Sequence, residues 1–329
     1  MSDRTGGLPL VSVGIATWNS EEHLHGCVDG LTSQTYPHVE IIVVDNASTD
    51  KSVDLIRDRL ADSRIIRNDR NEGYCIAQNQ AIRESRGDYY LPINPDVQLA
   101  PAFIEELVRV LEVRPECGSA SGKFWRPSAE GEARVLDATG LFIDRRRRQY
   151  LRGHGEEDRG QYEQPEEVFG ADGAAPLYRR SALDDVQVFD QYFDESYFGY
   201  QEDVDLAWRS RLLGWKCWYE PLAVAVHARS FKPGVRRPMP RHLRRIAVRN
   251  RYLTILKNEG LECWRRDWWR ILLYDVGILG YILLREQTSL GAYPMFWRLR
   301  LKAMGWRREV WGRVRVRPNE RLTWFTLRL

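Results

Sequence analysis

At 329 residues, with 43% apolar and 29% charged side chains, the chain is long enough to bury its own core without disulfides or a structural metal. Its five cysteines, Cys27, Cys75, Cys117, Cys217 and Cys263, are odd in number and never take the paired spacings of zinc or redox sites, which excludes a disulfide framework. The net charge of +3 hides an uneven distribution: residues 229–252 hold nine Lys or Arg and no acid, so an anionic partner is expected there.

Residues 1–7 carry no basic segment leading into an apolar run, so no secretory leader is expected and the cytoplasm is the expected compartment. From residue 11 the chain alternates short β-rich apolar runs with helical stretches. Strands are expected at residues 11–16, 39–44, 64–66 and 89–93, and helices at 21–31, 51–60, 76–84 and 101–113. This βαβ rhythm predicts an α/β fold, a mostly parallel sheet flanked by helices, in which ligands gather beyond the carboxyl ends of the strands. Those ends carry Thr17-Trp18-Asn19, Asp45-Asn46 and Asn94-Pro95-Asp96. Residues 129–164 read as hairpins and loops around a basic run at 145–148. Further strands are expected at 174–178, 215–219 and 223–226, and a helix from Tyr200 through Leu213.

The motifs divide between two halves of a site. Pro95 turns the backbone so that Asp96 projects from its strand end, where a carboxylate oxygen suits Mg²⁺ or Mn²⁺ carrying a diphosphate. An Asx turn capping the next helix is the competing reading. Asp45 can accept from a nucleobase while Ser48 caps a helix. No glycine-rich dinucleotide fingerprint or P-loop lysine is present, so a nucleotide is expected to be held by acids and amides. Asn71-Glu72-Gly73-Tyr74 places a glycine turn before a helix whose first amides can face a diphosphate, or form a plain turn. Glu202-Asp203-Val204-Asp205 sets three acids in one helical turn, with Asp203 on a different face from the other two. His227 ends a strand and is a further metal-ligand candidate.

In order and spacing, these stretches resemble the inverting glycosyltransferases of family 2, which have the GT-A fold; the likeness runs from about Leu10 to Arg229. The resemblance implies that Thr17, Asn19, Asp45 and Ser48 bind nucleotide, that Asp96 holds a divalent metal, and that Asp203 is the base; Asn71 and Gly73 are expected beside the nucleotide, and His227 as a further metal contact. An acceptor or sugar side is expected at Asn94, Asp194, Glu195 and Glu202, and Arg236 or Arg237 of the basic run is expected to close over the diphosphate. Asn94-Pro95-Asp96, Phe193-Asp194-Glu195 and Glu202-Asp203-Val204-Asp205-Leu206 are similar to the rhamnosyltransferase-like branch, whose donor is dTDP-L-rhamnose and whose acceptors are lipid-linked or polysaccharide sugars. Two departures are Trp18 where tyrosine is more usual, and Pro176 where the branch reads Gly-Ala. A UDP-sugar donor and a catalytically silent sugar-nucleotide-binding protein are the alternatives. The implied organisation is a catalytic domain over residues 1–235, with a nucleotide half at 10–100 and an acceptor half at 101–235, followed by a basic helical region at 236–329.

That region holds seven of the twelve tryptophans, and residues 271–284 form an apolar stretch of 14 residues interrupted by Asp275. At about 1.5 Å per residue it is too short to cross a hydrocarbon core of about 30 Å. Helices lying on the cytoplasmic membrane face are one reading, and an ordinary helical subdomain or homodimer surface is the other. Nucleic acid is not expected, because aromatics for base stacking are sparse in the basic run.

Overall fold

The structure is a computed structural model that describes residues 7–129, 131–229 and 239–325. The expected boundary near residue 235, together with Arg236 and Arg237, lies outside the described residues.

Strict βα alternation holds through the first third: β1 (Val11–Thr17), α1 (Glu21–Thr32), β2 (Val39–Asp45), α2 (Ser52–Arg59), β3 (Arg64–Arg67), α3 (Tyr74–Glu84) and β4 (Tyr89–Ile93). β1 pairs in parallel with both β2 and β4, and β2 with β3. Its register sets Thr17 opposite Asp45, so the polar strand ends share one edge of the sheet. β4 is buried throughout and β1 nearly so, as expected of strands covered on both faces.

The second part adds β5 (Val97–Leu99), α4 (Phe103–Val113), β6 (Cys117–Trp125), β7 (Leu136–Ala138), β8 (Leu141–Ile143), β9 (Gln149–Leu151), β10 (Glu166–Val168), β11 (Leu177–Arg179), α5 (Arg180–Val186), α6 (Glu202–Leu212) and β12 (Lys216–His227). Among the described residues the main sheet runs β10-β12-β6-β11-β4-β1-β2-β3, with β5 on β12 and β7 on β6; β8 and β9 form a separate hairpin. Apolar side chains of α1 and α4 cover one face of the sheet, and those of α3, α5 and α6 the other.

Three expectations change. The strand expected at 174–178 forms at Leu177–Arg179, because Pro176 has no N–H to give a ladder. The two strands expected at 215–219 and 223–226 are one strand, β12, with an irregularity between Tyr219 and Val224 around Pro221. β6 was not among the expected strands: Gly118, Ser119, Ser121 and Gly122 leave it without an apolar run, yet it lies inside the sheet between β12 and β11. The small residues are needed there, since a Cβ on Gly122 would lie 2.3 Å from the Ala223 carbonyl oxygen.

The chain ends in α7 (Arg241–Asn258), α8 (Leu261–Arg285), α9 (Ala292–Trp311) and α10 (Pro318–Arg321). α7 packs on α6 and α9. No helix among the described residues is long and apolar enough to cross a membrane. All five cysteines are free and buried.

Candidate active site

Strand register assembles the first part of the site. β5 runs antiparallel to the end of β12, with Val97 opposite His227, and the Ala228 N–H donates to the Asp96 carbonyl at 2.9 Å. Asp96 and His227 are thereby neighbours: the imidazole Nε2 stands 3.3 Å from Asp96 Oδ1. Its other nitrogen, Nδ1, is 3.0 Å from Asp137 Oδ2, on β7. Arg229 donates to both Asp137 oxygens, at 2.8 and 2.7 Å, and to Asp172 Oδ2 at 2.5 Å. Burial works against a charged imidazole at His227, but Asp137 and Asp96 outweigh it and lift its pKa to about 9. Asp137, Asp172 and His227 bring ligand atoms within 4.8 Å of one another, a buried group able to hold a metal ion.

The second part comes from the turn before α6. Phe198, Tyr200 and Gln201 all take left-handed backbone conformations, with φ of 66°, 65° and 71°, which non-glycine residues adopt only when their surroundings impose them. Two neighbours do so. On one side, Gly73 has φ +88°, and a Cβ there would come within 2.5 Å of the Phe198 ring. On the other, Asn250 of α7 donates through Nδ2 to the carbonyls of Tyr197, Gly199 and Tyr200 at 3.1, 2.9 and 2.7 Å. The clamped turn aims Glu202 and Asp203 into a cavity of about 1330 Å³ that Asn94, Asp96, Asp172, His227 and Arg229 also line.

The two acids are tuned apart. Asp203 accepts the Val204 N–H at 2.8 Å and lies beside Gly173, whose backbone also favours its charged form. Burial, then Asp172, raises its pKa. Glu202 is raised further, by burial and then by Asp203 itself, and its Oε2 has no hydrogen-bond partner among the described residues. Adjacent carboxyls in one low-dielectric pocket do not both ionise readily, so Asp203 loses its proton first. Asp205, on the opposite face, is structural: Arg209, Asn258 and Lys257 reach it at 3.0, 2.8 and 2.9 Å.

The expected nucleotide residues form a separate cluster at the ends of β1 and β2. The Ser48 N–H donates to Asp45 Oδ1 at 3.0 Å, Ser48 Oγ accepts from the Asn19 N–H at 2.9 Å, and Asn19 Oδ1 accepts from the Thr49 N–H at 2.8 Å. Thr17 Oγ1 is buried with no partner among the described residues. Asn71 Oδ1 accepts the Gly73 N–H at 3.0 Å, and the Gly73 carbonyl accepts from Asn46 at 3.3 Å. Of the two readings for the turn before α3 the plain turn fits its first amide, since the Tyr74 N–H donates to the Phe198 carbonyl at 2.6 Å.

Asp194 and Glu195 also differ from expectation, since neither lines the cavity. Asp194 is buried against Lys257 at 2.9 Å; burial opposes its charge, but Lys257 holds its pKa down at about 2. Glu195 accepts from Asn79 at 3.0 Å and from Arg83 at 3.3 Å. Asp137 and Asp172 escaped the sequence reading as lone acids in a weakly patterned stretch; the one signal was Asp137 between the apolar Leu136 and Ala138.

The profile of "Glycosyl transferase family 2" matches residues 12–187, more than half of the chain. The chain belongs to this family. It is 29% identical over 252 residues to an N-acetylglucosaminyl-diphospho-decaprenol L-rhamnosyltransferase of Mycobacterium tuberculosis, covering 70% of this chain and 78% of the relative. Its fold is similar to a mannosyltransferase of Pyrobaculum calidifontis in complex with GDP-Man and Mn²⁺, at TM-score 0.53 and 15% identity, over 93% of this chain and 85% of that one. A further likeness is to GalNAc-T7 with UDP, GalNAc and Mn²⁺, at TM-score 0.57 and 13% identity, over 77% of this chain and 48% of that one; this chain thus spans about half its length. The GT-A fold expected from the sequence is the observed one.

Proposed function

We propose that this family 2 glycosyltransferase is inverting and metal-dependent, and that it moves L-rhamnose from dTDP-rhamnose onto a lipid-linked saccharide for cell-surface polysaccharide. The observation that carries this reading is the placing of the Asp96–His227 pair and the Asp203 carboxylate in one cavity. A carboxylate oxygen and an imidazole nitrogen 3.3 Å apart fit a shared Mg²⁺ or Mn²⁺, which would take the place of the proton that Asp96 and Asp137 otherwise favour on the ring. Asp137 at Nδ1 then orients the ring, while Arg229 neutralises Asp137 and Asp172. A bound divalent ion there would stabilise the negative charge of a departing nucleoside diphosphate. Asp203 takes the proton of the acceptor hydroxyl as that oxygen attacks the anomeric carbon, and attack opposite the leaving diphosphate inverts the centre. Thr17, Asn19, Asp45 and Ser48 are assigned to the nucleoside, with Asn94 and Glu202 beside the sugar.

The acceptor class is supported by the name of the mycobacterial relative, which specifies a diphospho-decaprenol acceptor, and by the form of α8. This helix is inside out: Asp267 is buried, while Leu261, Trp264, Trp268, Leu272, Val276, Leu279 and Leu283 repeat at helical spacing on its exposed side. From residue 254 onward the chain has fifteen Lys and Arg against seven Asp and Glu, a balance suited to anionic headgroups. α8 also walls the cavity, so we seat it at a bilayer interface, on the cytoplasmic side.

Replacing Asp203 by Asn should lower kcat by about 10²–10⁴-fold with donor and acceptor saturating, and near wild-type transfer would overturn its role as base. In the unaltered enzyme the acid limb of kcat/KM should lie above the range of an ordinary aspartate. A thermal-shift panel of nucleotide sugars with Mg²⁺ or Mn²⁺ tests the donor: stabilisation by UDP-sugars but not dTDP-rhamnose discards rhamnose.

A further inference from the structure

Among the described residues six arginines line the cavity, and four of them are already neutralised. Arg146 bonds Asp144 at 2.8 Å, Arg147 bonds Glu259 at 2.6 and 2.9 Å, Arg229 holds Asp137 and Asp172, and Arg251 bonds Asp275 at 2.9 Å. Arg148 and Arg270 differ. Neither has a carboxylate partner among the described residues; each guanidinium lies over an aromatic ring, Tyr150 at 4.6 Å and Trp269 at 4.3 Å. Stacking fixes the plane of a guanidinium while leaving its N–H edges for an oxyanion.

The two belong to abutting elements. Arg148 sits in the β8–β9 hairpin, and Arg270 is three residues along α8 from Asp267, which pairs with Arg145 at 2.6 Å and Arg147 at 3.1 Å of the same hairpin. Beyond Arg270 the cavity wall turns apolar, with Leu273, Ile278, Tyr281 and Ile282 of α8, and it continues into the exposed face of that helix. The acids of the cavity, Asp96, Asp172, Glu202 and Asp203, lie on other elements, namely the ends of β4 and α6 and the loop before β11. One lining therefore holds a carboxylate, two cations without a carboxylate partner and an apolar track.

We infer that Arg148 and Arg270 form the subsite for the diphosphate of an amphiphilic acceptor, whose hydrocarbon tail leaves along α8 between Leu273 and Tyr281. This rests on the lipid-linked acceptor proposed above and names the part of the chain that reads it. The acceptor presents its sugar to Asp203 while its own phosphates, distinct from those of the donor, meet the arginine pair. Sugars without a diphosphate lipid gain nothing from these two residues.

The experiment measures equilibrium binding to the full-length protein in detergent, so that no turnover is required. The probes are a polyprenyl diphosphate, the corresponding polyprenol, and dTDP-rhamnose with Mn²⁺. The wild type should bind the diphosphate at least about tenfold more tightly than the alcohol, and R148A/R270A should lose that preference while keeping donor affinity and melting temperature. The charge-conserving R148K/R270K should retain part of it. If the double alanine variant keeps the preference, or loses donor affinity instead, the assignment is overturned. If the wild type binds neither lipid, the acceptor reading itself fails, and the subsite with it.

Discussion

The helices α7 and α8 are consecutive, yet their faces are arranged in opposite senses. α7 buries polar groups: Arg249, Asn250, Arg251, Lys257 and Asn258 all lie inside, each with named partners on the catalytic part. α8 instead exposes leucines and tryptophans and buries few side chains. Directional contacts hold α7 in one geometry, and since buried charges do little for net stability, they earn their place by specificity. The α8 face is non-directional and suits a fluid partner.

The sharpest break of this contrast is Lys257→Ala. It leaves Asp194 and Asp205 buried beside each other without their shared cation, and should cost about 3–5 kcal/mol in denaturant unfolding, or leave the protein unfolded. A loss under about 1 kcal/mol would mean that α7 is held by apolar packing after all. Asn250→Ala should cost about 1–3 kcal/mol by freeing three carbonyls, and should lower kcat more than it raises either KM, because the turn before Asp203 relaxes. An unchanged kcat would separate α7 from the active site. For α8, Leu272→Ser with Val276→Ser should shift stability by no more than about 0.5 kcal/mol while abolishing flotation with anionic vesicles. Equal flotation, or a dimer that falls apart in the variant, would assign the face to something other than lipid.

What could be read in advance follows the range of the interactions. β1, β2 and β4 announce themselves through local apolar runs, and Asp45 and Asp96 through their places at strand ends, so the expected edge of the sheet is the observed one. The helix carrying Asp203 was legible from its acids, but the expected sharing of a face by Glu202 and Asp205 is not observed: Glu202 lines the cavity beside Asp203, and Asp205 is buried on Arg209, Asn258 and Lys257. Other features depend on distant partners. The run Arg145–Arg148 reads as a loose basic loop, yet Arg147 is fully buried on Glu259, 112 residues away. β6 offers no apolar run to read, because its glycines and serines are small for the sake of neighbours that no local window contains. Asp194 resembles a site residue in its motif, and only Lys257 reveals that it serves packing.

The left-handed turn at Phe198, Tyr200 and Gln201 is held from two distant places in the sequence. Its braces, Gly73 and Asn250, are separated by most of the chain, and neither acts alone. The aim of the acids that follow the turn is therefore a property of the whole fold, set jointly by the sheet side through Gly73 and by the C-terminal helices through α7.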